Sequence, residues 1–241
     1  MTRRRGLICI CICAALVISG LTAQSSAARW FTCSETAPVK EFANSTCTKK
    51  ETPKTFGHEA FPINEETEAR LVGTSPWILK GTHAGVKLGI TATGLSGEGT
   101  VKNRETTEAF AYGEGPSVLE GVTVTEPAGK GCKVEGGSFT SNKLETTTLK
   151  QGVFMLFKPV TGSVIAEFMV EGCSVASLNT TYKLEGSFKG APSGSTITLV
   201  HSESTAQGTL TLGGLAAGLE LVTDVEARKN PAQPWKKLST T

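Results

Sequence analysis

The sequence predicts an all-β protein: an antiparallel β-sandwich or barrel-like domain with a short disulfide-stapled N-terminal segment. Three observations carry that expectation. Stretches such as "TYKLEGSFKG" and "LELVTDVEA" alternate apolar and charged residues with a period of two, the pattern of half-buried antiparallel strands. The chain holds 27 glycines and only 6% aromatic residues, and its helix formers are not clustered, which favours strands and turns. Four cysteines remain once an N-terminal leader is set aside, an even number that suits staples in an exported protein.

Residues 1–28 read as that leader. Arg3, Arg4 and Arg5 precede an apolar run of 15 residues from Leu7 to Leu21, and small residues then offer cleavage after Ala23 or Ala28. The run is shorter than the roughly 20 residues a helix needs to cross a bilayer. Cys9, Cys11 and Cys13 lie inside it and leave with it. Cleavage removes three arginines and no acids, so the formal charge moves from +2 to −1. No basic nucleic-acid footprint is left. The expected product is secreted or held in the cell envelope, without a stable membrane span.

Residues 29–76 are polar, with Pro38, Pro53 and Pro62 and little periodicity. They read as an N-terminal cap held by a Cys33–Cys47 bond. Residues 77–228 read as the antiparallel β domain. Tyr182, Leu184, Gly186 and Phe188 share one strand face, opposite Lys183, Glu185, Ser187 and Lys189. Leu219, Leu221, Val225 and Ala227 alternate with Glu220, Asp224 and Glu226. "VKLGITATGL", "VLEGVTVTEP", "KLETTTLK", "STITLVH" and "GTLTLGG" are shorter cases. "GVFMLFKPVTGSVIAEFMVEG" reads as two central strands joined at "KPVTG", where Pro159 and Gly162 are turn residues. Residues 229–241 form a locally basic tail.

Cys33, Cys47, Cys132 and Cys173 allow three pairings. Cys33–Cys47 and Cys132–Cys173 are favoured, because each pair lies within one segment of similar character. By chain entropy such loops contribute about 3 and about 4 kcal/mol. No close cysteine pair and no flanking histidine supports a zinc site or a thiol nucleophile.

The chemistry the chain can hold is narrow. Asp224 is its only aspartate, so neither a D-x-D-x-D-G calcium loop nor an aspartic dyad can be built. "HEAFP" opens like a zinc-protease motif, but Pro62 stands where the second histidine belongs. "GLSGEG" misses the nucleophile-elbow pattern by one position. Thr-x-Thr recurs at irregular intervals, which forbids a flat ice-binding array. No catalytic, cofactor-binding or metal-binding residue is named on this basis, and the four cysteines are read as disulfide partners. Two function classes remain. One is a non-catalytic secreted or cell-envelope structural or binding protein, facing an envelope component or an extracellular glycan or protein. Trp77, Trp235 and Tyr112 are its aromatic candidates. The alternative is a secreted hydrolase of unfamiliar type using His201 and Glu203, which lie two apart on one strand face, with His58 and His83 as other bases.

Two zones carry a resemblance. One is "WFTCSETAPVKEFANSTCTKK". The other runs through "GKGCKVEGGSFTSNKLETTTL", "FKPVTGSVIAEFMVEGCSV" and "YKLEGSFKG". In these the chain resembles a group of uncharacterised exported all-β proteins of soil actinobacteria. It departs from them between residues 86 and 125, where further cysteines are expected. The resemblance implies a bacterial, exported, disulfide-stapled β protein and no activity. In that setting the sequons at Asn44 and Asn179 carry little weight.

Overall fold

The computed structural model describes residues 29–45, 47, 49–104, 111–148, 154–201 and 209–240; of Val200 and His201 it describes the backbone alone. The expected leader, residues 1–28, lies outside them, as does Glu203. The described chain is all-β.

The strands, in order, begin with β1 (Trp30–Ser34), β2 (Gly57–Ala60), β3 (Thr67–Gly73), β4 (Trp77–His83), β5 (Val86–Ala92), β6 (Gly94–Asn103) and β7 (Ala111–Gly115). Next come β8 (Ser117–Glu120), β9 (Thr123–Glu126), β10 (Lys133–Val134), β11 (Ser138–Thr140), β12 (Leu144–Thr148), β13 (Met155–Pro159) and β14 (Val164–Glu171). The last are β15 (Thr180–Glu185), β16 (Phe188–Ser193), β17 (Thr196–His201), β18 (Thr211–Leu212), β19 (Leu215–Ala216), β20 (Gly218–Arg228) and β21 (Lys236–Thr240).

Eight of these close into an antiparallel barrel in the order β3-β6-β7-β12-β13-β16-β17-β20, with β20 returning to β3. Closure depends on β20, which is long enough to hold several partners. It pairs with β17 and β21 along one edge and with β4 and β3 along the other. Its register with β3 sets Val225 against Leu71 and Ala227 against Ala69. The alternation expected for "LELVTDVEA" holds, with Leu219, Leu221, Val225 and Ala227 all buried.

A five-stranded sheet, β10-β14-β15-β18-β19, packs beside the barrel. Its aromatic side chains meet those of the larger sheet. Phe168 stacks on Phe139 at 4.7 Å, Phe139 meets Trp77 edge-on at 5.8 Å, and Tyr182 meets His83 at 5.1 Å. The geometry resolves two expectations differently. "TYKLEGSFKG" is not one strand. Gly186 takes φ +102°, a conformation open to glycine, and a Cβ there would lie 2.1 Å from the Thr209 carbonyl oxygen. The chain therefore breaks, leaving β15 in the smaller sheet and β16 in the barrel. The two strands around "KPVTG" are likewise separated: β13 is a barrel stave and β14 a central strand of the smaller sheet.

Both disulfides form with the favoured pairing, Cys33–Cys47 and Cys132–Cys173. The second ties the end of β10 to the end of β14, where Lys133 pairs with Glu171. Disulfides belong to oxidising compartments outside the cytoplasm. No helix among the described residues is long and apolar enough to cross a membrane. Segment 29–76, expected as a disulfide-held cap, also supplies β3 to the barrel. The basic tail supplies β21, which pairs with β1 and β20.

Candidate functional site

An eight-stranded barrel has an interior just wide enough for side chains to fill, or to hold one small ligand. Here the two halves of the interior are furnished differently. One ring of neighbours runs Thr67, Val101, Gly113, Thr146, Phe157, Phe188 across adjacent strands. On the β13 and β16 side, Phe157 and Phe188 stack at 5.1 Å and fill the space. On the β3, β6 and β7 side the inward positions between Thr67, Leu71 and Val101 are the small residues Ala69, Gly97, Gly99, Gly113 and Gly115, and a cavity of about 70 Å³ remains. A second cavity of about 50 Å³ adjoins it. Leu71, Ser117, Leu144 and Phe157 line both.

The glycines stand where two backbones come together. Pro116 has no N–H to give to a ladder. The partner of β6 accordingly changes there, from β7 at Thr100↔Glu114 to β8 at Gly97↔Ser117. A Cβ on Gly99 would lie 2.0 Å from the Glu114 carbonyl oxygen, and one on Gly97 2.7 Å from that of Pro116. Close approach of the strands thus excludes side chains from this wall and leaves the space beside it open.

Trp30 closes one end of the cavity and is 2% exposed. Asn103 holds it: the Asn103 Oδ1 accepts from the Trp30 N–H at 2.7 Å, and Nδ2 donates to the carbonyls of Trp30 and Phe61 at 3.0 and 2.9 Å. The indole Nε1 donates to the Tyr112 carbonyl at 2.9 Å. The cap segment is thereby locked onto the barrel mouth.

The cavity walls are predominantly apolar. Charged residues whose strands border it carry their charges on the outer face. Arg70 pairs with Glu226 at 2.6 Å, Lys143 with Glu114 at 2.5 Å, and Lys158 with Glu145 at 2.9 Å. Two hydroxyls interrupt the apolar lining. Thr146 Oγ1 is the only buried side-chain polar atom without a hydrogen-bond partner among the described residues. Ser117 sits in the wall common to both cavities. Its N–H donates to Ser141 Oγ at 2.9 Å, but its own hydroxyl makes no hydrogen bond among the described residues.

The residues singled out in sequence are scattered. Trp77 is buried in the aromatic cluster, and Tyr112 lies under the Arg104 guanidinium, 3.2 Å from the ring centre. Burial, reinforced by a hydrogen bond to Glu114, pushes the Tyr112 phenol well above its ordinary range. The Lys143 hydrogen bond in turn holds the Glu114 carboxyl below the usual carboxylate range. Trp235 is half-buried against the guanidiniums of Arg70 and Arg228, at 4.5 and 4.4 Å. Burial alone would raise the Asp224 carboxyl, but hydrogen bonds from Lys237 and Thr196, both 2.7 Å, outweigh it and hold the group low.

His58 is stacked between Phe31 and Phe42 in the stapled cap, and burial lowers its pKa. His83 ends β4 on the other part of the molecule. The His201 backbone pairs with Leu219, while Glu203 lies outside the described residues. No cluster of three or more metal-ligating side chains occurs among the described residues. The Asn179 side chain is committed to the Cys173 backbone, accepting from its N–H at 2.8 Å and donating to its carbonyl at 2.9 Å.

Sequence reasoning passed over the cavity residues. A signal was present: glycines two apart in "GLSGEG" and "AYGEGP" fall on one face of a strand, and glycine inside a strand marks close backbone approach. Comparison with protein families, with curated proteins and with solved structures gives no match to this chain.

Proposed function

We propose that this is an exported, non-catalytic binding protein whose barrel holds one small uncharged ligand. The observation that carries the reading is the underfilled, glycine-walled half of the barrel, closed at one end by a buried Trp30 and bordered by outward-facing charges. Pockets for small ligands are mostly apolar, with few polar groups to set orientation, and this one follows that pattern. Export is supported by the leader-like residues 1–28 and by two disulfides. Arg70, Glu114 and Glu145, which border the cavity, are committed to ion pairs on the barrel surface, which supports binding over catalysis.

The test is a titration of the exported chain with small neutral molecules, followed through its backbone amide resonances. The expected result is saturable shifts at Gly97, Gly99, Gly113 and Thr146. Absence of shifts, or shifts confined to the outer surface, overturns the proposal.

A further inference from the structure

The polar atoms around the barrel interior are almost all spent within the protein. Resting on the reading of the barrel as a binding site, we propose that the ligand is a small hydrocarbon-like molecule. It is held by shape and dispersion, with no hydrogen bond to the protein.

Size sets the first limit. The cavities of about 70 and about 50 Å³ lie side by side with Leu71, Ser117, Leu144 and Phe157 as common walls. A dry apolar cavity of roughly 150 Å³ takes a six-carbon ring, so the two together take about five carbons. Charge sets the second. A carboxylate or an ammonium in this space would be unpaired, since the neighbouring Arg70, Glu114 and Glu145 are engaged on the outer face, and an isolated buried charge is strongly disfavoured.

Polarity sets the third. The backbones of the glycine wall are committed to their ladders: Gly99 pairs with Ala69, and Gly113 with Val101 and Thr146. The indole of Trp30 is spent on the Tyr112 carbonyl. Ser141 Oγ accepts from the Ser117 N–H and donates to the Asn142 carbonyl at 2.8 Å, and Thr223 Oγ1 donates to the Val72 carbonyl at 3.1 Å. The hydroxyls of Ser117 and Thr146 are left, and they do not converge. Thr146 borders the larger cavity alone and sets its methyl over the inward face of Gly113, where a Cβ would lie 3.0 Å from Thr146 Cγ2. Ser117 stands farther along the barrel, opposite Gly97. No polar group on so small a ligand meets a matched set of partners here, and a polar group buried unpaired is costly. Hydrocarbon surface carries no such cost and gains by leaving water.

The experiment titrates the exported protein with cyclopentane and with tetrahydrofuran, a ring of the same size in which an ether oxygen replaces one methylene. The readout is the backbone amide spectrum of wild type and Ala69→Val. Cyclopentane is expected to shift the amides of Gly99, Gly113 and Thr146 saturably. Tetrahydrofuran is expected to bind at least about fivefold more weakly, the lower bound for burying an acceptor without a donor. Ala69→Val, which fills the space, is expected to lose the cyclopentane shifts. If tetrahydrofuran binds as tightly as cyclopentane, or more tightly, the hydrocarbon assignment fails while the barrel remains a binding site. If neither ring moves a barrel amide, or if Ala69→Val responds to cyclopentane as wild type does, both proposals fail.

Discussion

Replacing Ala69 by valine adds two methyl groups to the side of the barrel that lacks them. Ala69 is 7% exposed, lines the larger cavity, and has only Gly99 and Ala227 as its strand neighbours. Space left by an unfilled core costs about 24 cal/mol per Å³, so the cavity of about 70 Å³ corresponds to about 1.7 kcal/mol. Burying two methyl groups contributes about 0.8 kcal/mol each, a similar figure. Valine also favours strands. Allowing for some misfit, Ala69→Val is expected to stabilise the protein by about 1 kcal/mol. With a urea m-value of about 2 kcal/mol/M, the unfolding midpoint rises by about 0.5 M. The same variant is expected to lose small-ligand binding. Gly99→Ala is the contrasting case: its Cβ would meet the Glu114 carbonyl oxygen at 2.0 Å, and it is expected to lower the midpoint. A midpoint that falls for Ala69→Val refutes the reasoning, because it would mean the wall has no room to fill.

Two further predictions concern the cap. His58 is half-buried between Phe31 and Phe42 and beside Lys50, and burial and Lys50 lower its pKa while Glu41 raises it; the net direction is down. A folded pKa below the unfolded value of about 6.5 means that its contribution to stability is complete above that value and is lost as pH falls through the folded pKa. The carboxylates of Glu59, Glu114 and Asp224, also held low, lose their contributions only in more acid solution. The urea midpoint is therefore expected to fall between pH 7.5 and 5.5 in wild type and to stay level in His58→Phe; equal slopes in the two would refute this. Removing the Cys33–Cys47 bond, by alanine at both positions, releases a loop with a sequence separation of 14. The expected loss in urea unfolding is about 3 kcal/mol, and a loss below about 1 kcal/mol would show that Asn103 and the β1–β21 pairing hold the cap without it.

Much of the fold was legible because strand alternation is a local property. "LELVTDVEA" announces a half-buried strand through its own residues, and β20 is one. Which strands are neighbours is not local: β20 closes the barrel by pairing Asp224 with Val72, far away in sequence. Period two says which side chains face inward and is silent about partners, which is why sandwich and barrel could not be separated. The break at Gly186 was hidden for a related reason. Its alternation continues through Phe188, and only the Thr209 carbonyl pressing on Gly186 reveals the bend. The cysteine pairing was readable because each bond joins residues of one segment. The cavity was not, since it is made of missing side chains at Gly97, Gly99, Gly113 and Gly115, brought together by a change of strand partner at Pro116.

The most direct measurement is diffraction from crystals of the protein under xenon pressure, since xenon enters dry apolar cavities that side chains leave unfilled. The account predicts xenon inside the barrel, between the glycines of β6 and β7 and the Phe157 ring, and none at that position in Ala69→Val. A barrel that takes up no xenon, with its side chains closed over that space, would contradict it.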